Sequence, residues 1–245
     1  MTSTSHRADA STFLDNRGYT GPLVRGVNPL TLFEKPVRDR ITDSYYWKEQ
    51  CFGLNAATLC DRAVELTSIG GVYGVAEKPS PFLCLAFKLL QLSPDRDVIL
   101  EYLNFTDDED EDEDERDPNA NVVKTRGSFK YLRALAAFYV RLTFEPAEVY
   151  KTLEPLLLDY RKLKRRMRES FTLTYVDQFV DELLTKERVC GTSLWKLPAR
   201  QLLEDLDLLE VRESPLQEEL EEMERSDEDG GEGGYEEGER GDGED

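Results

Sequence analysis

Histidine is almost missing from this chain: one residue in 245, His6, near the N-terminus. Ser-His-Asp and Cys-His catalytic arrangements and histidine-ligated metal sites therefore have nothing to draw on elsewhere. Cysteine is sparse as well. Cys51, Cys60, Cys84 and Cys190 form no CxxC pair and sit in apolar helical patterns, which reads as buried, reduced thiols of an intracellular, soluble protein. The N-terminus lacks the basic-then-apolar pattern of a secretory signal, and no apolar run approaches a membrane span. The glycines at 70, 71 and 74 match neither a P-loop nor GxGxxG and follow a helix rather than a strand. The expectations are no catalytic residue, no cofactor, no metal and no membrane.

What is abundant is acid, and it is concentrated. The formal net charge is −20, of which residues 107–117 contribute −9 and residues 218–245 contribute −13, leaving the rest of the chain at +2. Neither tract has the apolar content to build a core. The chain divides accordingly into a mobile arm over 1–36, a folded domain over 37–210 interrupted by a disordered acidic insertion at 106–127, and an acidic Glu/Gly-rich tail over 211–245.

Within the domain, apolar residues recur at helical spacing. Asn55 precedes Leu59, Ala63 and Leu66; Ser80-Pro81 precedes Phe82, Leu85, Ala86, Leu89 and Leu90; Ser93-Pro94 repeats that device ahead of Val98 and Tyr102. Ser128 is placed to cap a central helix carrying Leu132, Leu135, Ala136, Tyr139 and Leu142. Glu145-Pro146 opens a long helix running to Met167, kinked or divided at Pro155, and Thr174 caps one with Val176, Phe179, Val180 and Leu183 on its buried face. Between the first and second of these helices, three glycines and the prolines Pro79 and Pro81 make a constrained corner at residues 64–92. No strict strand alternation is seen, so the expected class is all-α: one domain of antiparallel pairs, about eight to ten helices in all.

Two features stand out as binding candidates. YRKLKRRMR (160–168) is the one basic concentration, and on the last turns of a helix its cations would be favoured by the helix dipole whatever they bind. Read functionally, Arg161, Lys162, Lys164 and Arg165 form a patch for an acidic protein segment or, in a second reading, for non-specific contact with RNA phosphate. The consecutive aromatics Tyr45, Tyr46 and Trp47 cannot all face one core; a second packing layer competes here with an interface role for Tyr46 and Trp47. Tyr73, in the glycine corner, is the remaining candidate.

The runs YYWKEQCFGL (45–54), IGGVYG (69–74), KPSPFLCLAFKLLQL (78–92), FKYLRALAAFYVRLT (129–143), YKTLEPLLLDYRKLK (150–164) and VDQFVDELLTKERVC (176–190) resemble the N-terminal domain of the pre-mRNA-splicing factor 38 family. The resemblance covers nearly all of 37–195. It implies a nuclear, non-enzymatic scaffold with an all-helical domain, acting in the tri-snRNP and precatalytic spliceosome at its activation. Among the implied partners are a zinc-finger splicing protein and a helical scaffold similar to the microfibrillar-associated protein. The acidic insertion and the missing Arg/Ser-rich tail depart from animal members and point to a fungal-like one.

Overall fold

The computed structural model describes residues 21–105 and 129–212. Asn28 caps a 3-10 turn at Pro29–Leu32 by accepting from the Leu30 amide (3.0 Å). Leu30 and Phe33 are buried, so part of a stretch assigned by composition to the N-terminal arm lines the core. Helices α1 (Lys35–Asp43) and α2 (Tyr45–Gln50) follow as separate pieces. Ser44 divides them: its extended backbone ends α1, and its hydroxyl accepts from the Trp47 amide (3.2 Å) to begin α2. Asn55 and Thr58 close a reciprocal capping box at the head of α3 (Ala56–Val64).

The glycine corner is a piece of sheet. Strands β1 (Ile69–Gly70), β2 (Val72–Tyr73) and β3 (Lys78–Pro79) lie between α3 and α4 (Pro81–Leu92), with β2 and β3 paired as an antiparallel hairpin. Ser80 ties the corner to the helix. Its hydroxyl donates to the Gly70 carbonyl (2.7 Å) and accepts from the Leu83 amide (3.2 Å), so one side chain serves as strand clamp and helix cap. Gly71 has no room for a side chain, because a Cβ there would overlap the Cys190 carbonyl. Ser93 does not repeat the Ser80 device. It ends α4 in a left-handed conformation, and α5 (Arg96–Asn104) starts after Asp95.

The all-α expectation is overturned. Helix accounts for about 54% of the described residues, and strand for 13% in three small sheets, so the class is mixed α/β. The central helix α6 (Lys130–Thr143) begins after Phe129; the cap expected at Ser128 and both acidic tracts lie outside the described residues. The long helix expected over 146–167 stops early: α7 (Pro146–Leu153) passes into a 3-10 turn at Glu154–Leu158, where Pro155 removes an amide donor. The chain then straightens into β4 (Lys162–Arg166), which pairs in parallel with β1 and antiparallel with β5 (Phe171–Tyr175) in the order β1-β4-β5. Thr174, expected to cap a helix, is a strand residue, and α8 (Val176–Thr185) starts directly from β5. A short hairpin of β6 (Arg188–Val189) and β7 (Thr192–Ser193) and a last helix α9 (Arg200–Asp205) complete the described chain.

α6 is the axis of the core, packed by α3, α4, α5, α7, α8 and β1. Phe138 on α6 meets Phe82 on α4 (ring centroids 5.8 Å), which meets Phe179 on α8 edge-on (6.2 Å). Two arginines of α6, Arg133 and Arg141, are only 2% exposed. Arg133 donates through Nε to the Leu103 carbonyl (2.7 Å) and through Nη1 to Asp159 (2.9 Å), itself 2% exposed. Arg141 donates to the carbonyls of Leu183 (2.7 Å) and Trp195 (2.6 Å). Burial, and secondarily the like charge of Arg25, pushes the Arg141 guanidinium down to about 10, which leaves it charged at neutral pH.

Candidate docking surface

β4 turns a contiguous basic run into two faces, because successive side chains on a strand point oppositely. Leu163 points inward and is fully buried. Lys162 and Lys164 are exposed on the other face, with Arg166 beyond them. Arg166 lies 4.6 Å from the centre of the Tyr73 ring and 4.3 Å from that of Phe171, and Lys164 Nζ sits 4.0 Å from Phe171. Tyr73, Arg166, Phe171 and Lys164 thus form an alternating chain of rings and cations. The Gly74 amide donates to the Arg168 carbonyl (2.6 Å), tying the β2–β3 hairpin to the β4–β5 turn, and the Lys164 amide donates to the Tyr131 hydroxyl (3.1 Å).

The other two basic candidates are engaged in the fold. Arg161 grips Asp159 through Nε (2.9 Å) and Nη2 (2.6 Å), beside Arg133. Burial alone would raise the Asp159 carboxyl, but the hydrogen bonds and charge of Arg161 and the charge of Arg133 outweigh it and hold the group below its ordinary value. Arg165 pairs with both oxygens of Glu182 on α8 (3.0 and 2.5 Å), and the two side chains are about one-fifth exposed. Burial also acts to raise Glu182, and the hydrogen bonds from Arg165 and Lys186 reverse it, so this carboxyl too is lowered. Sequence contiguity grouped Arg161 and Arg165 with Lys162 and Lys164; the fold separates them. It adds Arg166, Arg168 and the β5 residues Phe171 and Leu173 (44% and 62% exposed) to the outward face. The apolar-polar alternation of FTLTY (171–175) is the signal that would have found this strand.

Tyr46 and Trp47 lie elsewhere, on α2. Trp47 packs half-buried on Phe87 of α4 (5.3 Å), with the Lys88 ammonium 5.7 Å from its ring centre. Tyr46 lines a cleft of about 150 Å³ with Arg62, Leu66, Ser68 and Pro81, at the entrance to β1. Burial raises its phenol well above the ordinary value, so it stays a neutral donor. Tyr45 is the exposed member of the three, at 75%. A larger groove of about 430 Å³ opens between α5 and α7, lined by Arg96, Leu100, Leu103, Thr152 and Leu156.

The cysteines are not poised for chemistry. Cys51, Cys60 and Cys84 are buried, and Cys190 lies half-buried in the β6–β7 turn with a positive φ, where a helical pattern was expected. Burial pushes Cys60 up to about 11 and the other three up to about 12, so all four are protonated at neutral pH. Among the described residues there is no cluster of three or more metal-ligating side chains, and no helix is long and apolar enough to cross a membrane.

Fold and surface together define a class: a densely packed helical domain that carries a small, cation-bearing sheet on its outside. The PRP38 family profile matches residues 23–207. Pre-mRNA-splicing factor 38 of Schizosaccharomyces pombe is 52% identical over 182 residues, covering 74% of this chain and 76% of that protein. Pre-mRNA-splicing factor 38A of Danio rerio is 46% identical over 206 residues, 84% of this chain but 59% of the relative, and the Homo sapiens protein is 45% identical over 202 residues, 58% of its length. The chain thus spans under two thirds of the vertebrate relatives it matches. A chain from the crystal structure of the Snu23-Prp38-MFAP1(217-258) complex of Chaetomium thermophilum superposes with a TM-score of 0.69 at 54% identity, covering 84% of this chain and all of that one. The chain belongs to the PRP38 family, whose curated members matched here are pre-mRNA-splicing factors.

Proposed function

We propose that this protein is a nuclear, non-enzymatic scaffold of the spliceosome that docks other splicing proteins in the tri-snRNP and precatalytic assembly for its activation. One observation carries the reading: the relative solved with two protein partners aligns with this chain over its whole length at 54% identity. Its partners here would be the counterparts of Snu23, a zinc-finger protein, and of the 217–258 segment of MFAP1. Cysteine thiols held protonated by burial support the non-enzymatic part.

The mode is partner helices laid into surface clefts. Tyr46 and Trp47, beside the cleft at the entrance to β1, are the proposed contacts on one side, and the groove between α5 and α7 is the second seat. Arg161 anchors the segment before β4 through Asp159, and Arg165 fastens β4 to α8 through Glu182. The test is size-exclusion chromatography of the purified chain with its own Snu23 and MFAP1 counterparts after nuclease treatment. Co-elution of both is expected, with Tyr46→Ala weakening one. Elution of all three components separately would overturn the reading.

A further inference from the structure

The outward positions of β4 and β5 stand in matched pairs, Lys162 beside Tyr175, Lys164 beside Leu173 and Arg166 beside Phe171. None of the six is acidic. One row, along β4, is cationic and runs on to exposed Arg168; the other, along β5, is aromatic and aliphatic, with Leu173 largely and Phe171 partly exposed. Alternate residues of a strand are about 6.5–7 Å apart, a repeat comparable to that of successive phosphates in an extended single strand of nucleic acid. The neighbouring apolar row lies where the bases of such a strand would fall. Cations that track a backbone beside rings that accept bases are the two components of sequence-tolerant single-strand binding.

We infer that this face binds single-stranded RNA, with Lys162, Lys164, Arg166 and Arg168 on the phosphates and Phe171, Leu173 and Tyr175 against the bases. A partner helix calls for a groove, and the clefts beside Tyr46 and between α5 and α7 lie apart from this sheet face. The inference adds to the scaffold reading without depending on it. The two acidic tracts, at −9 and −13, oppose loose adhesion to polyanions, so the interaction is a weak, salt-limited contact that a preformed assembly would strengthen.

The experiment is fluorescence anisotropy of fluorescein-labelled U12 with the full chain from 50 to 200 mM KCl. Three to four phosphate contacts predict a roughly 20- to 50-fold fall in affinity over that range. Joint substitution Lys162→Ala, Lys164→Ala and Arg168→Ala should weaken binding at 50 mM more than tenfold and flatten the salt slope. Phe171→Leu should cost about fivefold or more and leave the slope unchanged. Thermal melts of each variant separate these effects from misfolding. Absence of U12 binding at 50 mM, or a salt slope indifferent to the triple substitution, overturns the inference. So does a peptide of residues 213–245 that binds with the same cation dependence when U12 does not. Co-elution of the triple variant with the two protein partners reads the scaffold function separately.

Discussion

The basic residues of α6 and those of β4 are chemically alike and placed to opposite ends. Arg133 and Arg141 lie in the interior with their donors aimed at carbonyls and at Asp159, and they bind α6 to the ends of α5 and α8 and to the segment before β4. Lys162 and Lys164 are exposed to water, the Lys164 side chain meeting the partly exposed ring of Phe171. Buried charge has to be matched partner by partner, so it makes the arrangement of the core specific rather than merely cohesive. A surface charge is worth little to stability and is available to something outside. Arg165 sits one residue from Lys164 and belongs to the interior group, because strand geometry turns it toward Glu182.

The largest way to break this comparison is Asp159→Ala. It leaves Arg133 buried without its carboxylate and should cost about 3–5 kcal/mol, read from urea unfolding midpoints. The pH profile sharpens it. Asp159 and Glu182 have folded values below their unfolded ones, so their contribution is present above the ordinary carboxylate range near pH 4 and is lost as pH falls through that range and below. Unfolding midpoints should fall more steeply below pH 4 in the wild type than in Asp159→Asn. Arg165→Ala removes a two-oxygen pair at a partly exposed site and should cost about 1 kcal/mol, with no change in affinity for RNA beyond what the melt explains. Lys164→Ala should stay within about 0.5 kcal/mol of the wild type in stability while lowering RNA affinity. Equal stability losses at the neighbouring positions 164 and 165 would erase the distinction between interior and surface cations.

The helices were legible where spacing and caps agreed, as at Asn55 with Leu59 and Ala63, and at Ser80-Pro81 with the apolar face of α4. The strands were not, for two physical reasons. Five of the seven are two residues long, too short for any periodicity, and exist because a neighbour supplies their hydrogen bonds. Around β4, Leu163 and Met167, the latter just past the strand, are four apart and imitate a helical face, while the pairing with β1 that settles the matter joins Ile69 to Arg165, far apart in the chain. The site inherits that error. On a helix, Arg161, Lys162, Lys164 and Arg165 span a broad end; on a strand, odd and even numbers part company. Tyr73, expected only as part of the glycine corner, lies against the basic run through Arg166, a residue outside the original group.

Arg25 carries a consequence for the order in which this protein assembles. Its guanidinium donates to the Leu142 carbonyl (2.5 Å) and lies 3.9 Å from the centre of the Trp195 ring, to which Arg141 also comes within 4.9 Å. The seat for Arg25 therefore does not exist until α6 has formed and the segment after β7 has closed over it, 117 residues and more downstream. A contact that spans so much of the chain waits on the elements between its two ends. The segment around residue 25 can take its final seat only once those elements are in place, and in the finished protein its amides should exchange with solvent through a local opening that leaves α6 intact.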